Sequence, residues 1–167
     1  LATVAPGVKA HPDEAGIEER ILMSNPLLES LGNAKTLRNN NSSRFGKYIK
    51  LEFNNSLKIR GCEMVNYLLE KSRVCKQSDQ ERNYHIFYHL CTADDALKKE
   101  LCVKTPEEYS YLNGSGCTTV PGINDAADFA EVREAMTMLN INQEMSMQMF
   151  KLISSVLMLG DVKFIAD

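Results

Sequence analysis

Asn39-Asn40-Asn41-Ser42-Ser43-Arg44-Phe45-Gly46-Lys47 is the stretch on which the reading of this chain turns. Three carboxamides precede two adjacent hydroxyls, and a guanidinium follows directly. Taken alone, such a run is most often a polar surface loop with a capping Ser. Its chemistry also suits a loop that closes around a nucleoside triphosphate and its Mg²⁺. Hard cations take oxygen ligands, a few from protein and the rest from phosphate and water, and a Ser hydroxyl fits that role. Asn offers both donors and acceptors to phosphate oxygens, while Arg carries a planar fork matched to carboxylate or phosphate.

Working outward, Phe45, Lys47, Ile49, Leu51 and Phe53 alternate with Gly46, Tyr48, Lys50 and Glu52, which predicts a strand. Asn54-Asn55 reads as a tight turn, and Leu57 to Val65 returns as the second strand of a hairpin. Upstream, residues 1–12 with Pro6, Gly7 and Pro12 read as a helical end running into a loop. Asp13 caps a helix carrying Ile17, Ile21 and Leu22. Asn25-Pro26 reads as a fresh N-cap with Pro at the first helical position, and Gly32 as the residue that stops that short helix.

Downstream the spacing predicts a helix from Asp79 to about Cys91 and a short charged one over Asp94–Leu101. A loop follows at Asn113-Gly-Ser-Gly116. The next helix, over Asn124–Leu139, carries Phe129, Val132, Met136 and Leu139 as its apolar stripe. Asn142 caps a last helix that turns Met145, Met149, Leu152, Ile153, Val156 and Leu157 inward and ends at Gly160. The methionines there are core at helical spacing in preference to a promiscuous groove.

Composition sets further bounds. The chain has 167 residues, 44% hydrophobic and 25% charged, which is one domain or a large piece of one. A net charge of −3 gives no electrostatic case for nucleic acid. No apolar run is long enough to span a bilayer, and no signal peptide is visible. The first residue is Leu1 and not Met, so an excised or incomplete piece is expected. Five cysteines without C-x-x-C spacing support neither a zinc site nor a disulfide framework. His85 and His89 stand at metal-ligand spacing, but without a third ligand nearby they read as packing or surface residues. Gly114-Ser-Gly116 is a turn, since no phosphate-loop pattern G-x-x-x-x-G-K-[ST] occurs.

The sequence resembles the myosin motor domain. The resemblance rests on Asn25-Pro-Leu-Leu-Glu-Ser-Leu-Gly-Asn-Ala-Lys-Thr36 followed by Asn39 to Lys47. It continues through Tyr67-Leu-Leu-Glu-Lys-Ser-Arg-Val74, Glu81-Arg-Asn-Tyr-His-Ile-Phe-Tyr88 and Phe150-Lys-Leu-Ile-Ser-Ser-Val-Leu-Met-Leu-Gly160. Kinesins share Ser-Ser-Arg but not the blocks at 25–36 and 81–88. The blocks run in myosin order at myosin-like spacing across residues 17 to 164. Tyr48, Cys75, Lys76 and Met158 depart mildly from the commoner pattern, away from the nucleotide.

The resemblance implies an α/β, helix-rich piece of a P-loop NTPase motor head, with a central β-hairpin and surrounding helices. Residues 1–167 would be an incomplete motor domain: the upper actin-cleft subdomain, the first switch loop (switch I) and part of the central sheet. The parent would be a cytoplasmic motor of the actin cytoskeleton that hydrolyses ATP with Mg²⁺. Its partners would be actin filaments, with light chains or calmodulin on a neck outside this chain. Asn39 would contact phosphates, Ser42 the γ-phosphate and lytic water, and Ser43 the Mg²⁺. Arg44 would pair with the Glu of a second switch. That second switch and the phosphate-binding loop are expected outside residues 1–167, so the isolated piece would be inactive. A degenerate, non-hydrolysing head acting as an actin- or partner-binding scaffold is the alternative; the family pattern at Asn39, Ser42, Ser43 and Arg44 speaks against it.

Overall fold

In a computed structural model, which describes residues 16–165, the chain builds a helical body with a protruding hairpin. The predictions for residues 1–12 and for Asp13 lie outside the described residues. Helix α1 spans Ile17–Gly32, and β1 (Asn33–Ala34) pairs antiparallel with β2 (Ser42–Ser43). Strands β3 (Gly46–Phe53) and β4 (Ile59–Tyr67) form a separate antiparallel hairpin. Then come α2 (His85–Cys91), α3 (Asp95–Leu101), α4 (Ser110–Asn113), α5 (Asp125–Met138) and α6 (Gln143–Gly160).

The core gathers around α2, every residue of which is buried. Leu27 of α1, Phe129, Val132 and Met136 of α5, and Phe150 and Leu157 of α6 close over it. Phe129 and Phe150 meet at a tilt of 59° with centroids 5.5 Å apart, the offset geometry that aromatic quadrupoles favour. Three helices begin on side-chain N-caps, of which the sequence reading named Asn142 and placed the other two as helix starts. Asp94 accepts from the Leu97 amide, Asn124 from Ala127 and Asn142 from Met145.

Four features differ from the sequence reading. No break occurs at Asn25-Pro26: α1 runs through Pro26, although an interior Pro costs about 3 kcal/mol. Burial of Ser24, Leu27 and Ser30 on the body offsets that cost, and the Asn25 side chain accepts from Lys47 Nζ at 2.9 Å in place of capping. Gly32 belongs to α1, and its role is close approach, since a Cβ there would stand 2.3 Å from the Phe45 ring.

The second difference is the late start of α2, at His85 and not near Asp79. Residues 82–84 are instead pinned by distant partners: the Arg82 amide by Lys35 O at 2.9 Å, and Asn83 Nδ2 by Val74 O and Tyr111 O. Tyr84 adds a bridge to Ala34. Third, the hairpin connection runs over 54–58, with Asn54 Oδ1 accepting from the Ser56 and Lys58 amides and Leu57 at φ 59°. Fourth, Met145 and Leu152 face outward at 52% and 69% exposure; Phe150 and Ser154 take the inner face instead, Ser154 Oγ donating to Leu101 O at 2.6 Å.

Candidate functional site

The short β1–β2 pair closes a loop over residues 35–41 and fixes where the Asn39–Arg44 chemistry sits. Asn33 faces Ser43 and Ala34 faces Ser42, while the Arg44 amide donates to Gly32 O at 2.8 Å. Inside the loop, Asn39 O accepts from the Thr36 amide at 2.8 Å, and Asn39 Oδ1 accepts from the Asn41 amide at 2.9 Å. Asn41 reaches back to the body, donating to Glu29 Oε2 and accepting from Asn33 Nδ2. The backbone here is therefore tied, while Leu37 through Asn41 stay exposed.

Ser43 is exposed, and its hydroxyl donates to Phe45 O at 2.8 Å. A hydroxyl whose proton is spent this way keeps its lone pairs outward, the arrangement a hard cation needs. Ser42 Oγ accepts from Arg44 Nη1 at 3.0 Å, so its own O–H is available to an acceptor. Asn39 is exposed and keeps its Nδ2 donors for an anion, since its bonds inside the loop use only Oδ1 and the backbone. The donor set fits Mg²⁺ and phosphate as hydroxyls and carboxamides. All four residues read from the sequence thus lie on one loop and its β2 edge.

Arg44 has a partner that the sequence reading missed. Its Nε donates to Glu70 Oε2 at 2.7 Å, and Arg73 Nε donates to the same oxygen at 2.9 Å. Burial pushes the Glu70 carboxyl up, but the bonds and charges of Arg73 and Arg44 outweigh this and leave it below the usual range. Burial lowers Arg73 as well, and its bonds to Glu70 and Glu81 more than compensate, raising it. The signal in the sequence was the E-x-x-R spacing of Glu70 and Arg73 inside the Tyr67–Val74 block.

Beside the loop lies a cavity of about 380 Å³ lined in part by Asn40, Asn41, Glu29, His85, His89 and Asp128. The two imidazoles stack at 6.0 Å and 9°. Burial, with smaller contributions from neighbouring charges, lowers each to about 4, so both rings are neutral. His89 Nε2 stands 3.7 Å from Asp125 Oδ1 and 3.8 Å from Asp128 Oδ2. Asp125 is taken by Arg82 Nη2 at 2.7 Å, and that guanidinium covers the Tyr88 ring at 3.6 Å. Among the described residues no group of three or more His, Cys, Asp or Glu could hold a metal ion, and no helix is long and apolar enough to cross a membrane.

Comparison with known proteins now places the chain. The family model described as myosin head (motor domain) matches residues 1–167. A myosin-I heavy chain of Dictyostelium discoideum is 49% identical over 149 residues, 89% of this chain and 6% of its own length. Unconventional myosin-Vb of Homo sapiens is 48% identical over 155 residues, 92% of this chain and 8% of its own. Myosin-13 of Arabidopsis thaliana is 44% identical over 158 residues, 95% of this chain and 11% of its own. The chain belongs to the myosin head family, as a stretch of motor domain with helices and a small antiparallel sheet. It spans well under a fifth of the length of these relatives, between 6% and 11%.

Proposed function

We propose that residues 33–44 are the nucleotide-sensing switch I loop of an actin-based motor that hydrolyses ATP, built on a P-loop NTPase architecture of which this chain is part. The observation that carries the reading is the pair of adjacent hydroxyls on β2, Ser43 exposed with its lone pairs free and Ser42 oriented by Arg44. Membership of the myosin head family supports it. Actin filaments are the proposed track. Light chains or calmodulin would bind outside this chain, and the protein would work in the cytoplasm at the actin cytoskeleton.

In this reading Ser43 Oγ would hold Mg²⁺, and Asn39 Nδ2 would donate to phosphate oxygens. Ser42, whose O–H is left free by its bond from Arg44, would donate to the γ-phosphate and help hold the attacking water. Mg²⁺ neutralises charge on the β- and γ-phosphates when bound. Arg44 keeps Ser42 oriented and supplies the charge by which the loop closes on a carboxylate from a second switch. Contacts of γ-phosphate and metal order such a loop, and their loss releases it.

The test is Ser43→Ala in the intact protein that carries this segment. Ser43 is exposed and its side chain makes one hydrogen bond, to Phe45 O, so folding should change little while Mg-ATP turnover falls roughly 10²–10³-fold, the usual result of removing one preorganised electrostatic contact. Wild-type turnover with ordinary Mg²⁺ dependence would remove Ser43 as a metal ligand.

A further inference from the structure

The two ends of the 37–44 loop reach the same buried guanidinium. At one end the Leu37 amide donates to Glu81 Oε1 at 3.2 Å, and Glu81 Oε2 accepts from Arg73 Nη1 at 2.9 Å. At the other, Arg44 Nε donates to Glu70 Oε2, which also accepts from Arg73 Nε, while Arg73 Nη2 reaches Glu70 Oε1 at 3.4 Å. Arg73 is 6% exposed, and its Nη1 also donates to Arg82 O at 3.1 Å. The backbone repeats the pattern: the Glu70 amide donates to Arg44 O at 2.9 Å, and Tyr84 Oη donates to Glu70 O at 2.8 Å.

We infer that Arg73, with Glu70 and Glu81, is a latch that positions the loop, so that its Leu37 end and its Arg44 end order and release together. None of the three is taken to touch nucleotide; they act through Leu37 and Arg44. A planar fork presents five donors in fixed directions and holds two carboxylates at set angles, whereas a Lys ammonium is a point charge with three rotatable donors and imposes no such geometry. Buried charges of this kind are costly when one partner leaves, because the others are then uncompensated. Loss of Glu81 thus loosens Arg73, then Glu70, then Arg44, and through Arg44 the Ser42 hydroxyl. The inference rests on the switch reading for its consequence in turnover, but the coupling itself needs no nucleotide.

Hydrogen exchange read by mass spectrometry on the intact protein separates the two. In Glu81→Gln, which keeps size and removes charge, peptides covering 36–40 and 41–46 should both exchange at least about threefold faster. Protection over α5 and the β3–β4 hairpin should stay unchanged, which also verifies folding. Arg73→Lys, which keeps charge and removes the fork, should do the same. Faster exchange confined to 36–40 in Glu81→Gln, or wild-type exchange at both ends in Arg73→Lys, overturns the latch. If both ends respond but Mg-ATP turnover does not, the latch stands and the switch reading falls. If Ser43→Ala abolishes turnover while only one end responds to Glu81→Gln, the switch reading stands and the latch falls.

Discussion

Helix α2 and the 35–44 loop lie side by side and are held by opposite means. Every residue of α2 is buried, and its position follows from the apolar faces of α1, α5 and α6. The loop exposes Leu37 through Asn41 and is positioned by directed bonds to Gly32, Glu29, Glu70 and Glu81. Burial of apolar surface is non-directional and involves no charge pairing. Exposed ion pairs are screened by salt and lost on titration, and directed bonds can be exchanged one for another without unfolding the body. The contrast separates what must be permanent in a switch segment from what must be reversible.

The largest effect that would sharpen this contrast lies in the core. Leu90→Ala, at a position with no exposure, should destabilise the protein by about 2–5 kcal/mol. Denaturant unfolding of the intact protein checks this, and loop exchange under native conditions should be little changed.

Acid should have an effect of similar size. His85 and His89 are held neutral in the folded state, with values lowered from 6.5 to about 4. A depressed histidine binds its proton more readily when unfolded, so stability is full above about pH 6.5 and falls from there down to about 4. The loss is on the order of 3 kcal/mol per ring, and His89→Gln should remove about half of that pH dependence in a series of melts, with His85 keeping the rest. Glu70 responds to acid in the same direction, at lower pH. Its lowered carboxyl keeps its contribution above the ordinary carboxylate range and loses it as pH falls through its own value, which should free the Arg44 end of the loop.

A smaller change is expected at a helix terminus. Asn142→Ala removes the acceptor for the Met145 amide and should cost about 1 kcal/mol in the same unfolding measurement, with no change in turnover. Smallest of all is Lys50–Glu63, at 3.6 Å and with both side chains more than half exposed. Its removal should shift nothing measurable, as exposed ion pairs usually contribute little. A large effect there would mean that the hairpin is held by charge and not by backbone pairing.

These expectations divide along the same line as what the sequence made legible. Asn142 was readable as a cap, and Asp94 and Asn124 as helix starts, because each acts within three residues. The hairpin was readable because alternation is local, although Tyr48, Phe53 and Tyr67 remain exposed on it. Pro26 and the 79–84 segment misled, since packing on the body and bonds to Lys35, Val74 and Tyr111 overrode local propensity. The donor types of the candidate site were evident in Asn39, Ser42, Ser43 and Arg44. Their support was not, because Glu70 lies 26 residues from Arg44 and Glu81 lies 44 from Leu37.

The central claim is that the 37–44 loop senses bound nucleotide. Hydrogen exchange of the intact protein, with and without Mg²⁺ and a non-hydrolysable ATP analogue, addresses it directly. The account predicts strong slowing of exchange over residues 37–44 on addition of both ligands, weak slowing with the analogue alone, and no change within α2. Equal exchange over 37–44 in all conditions, at analogue concentrations that saturate binding, would contradict it.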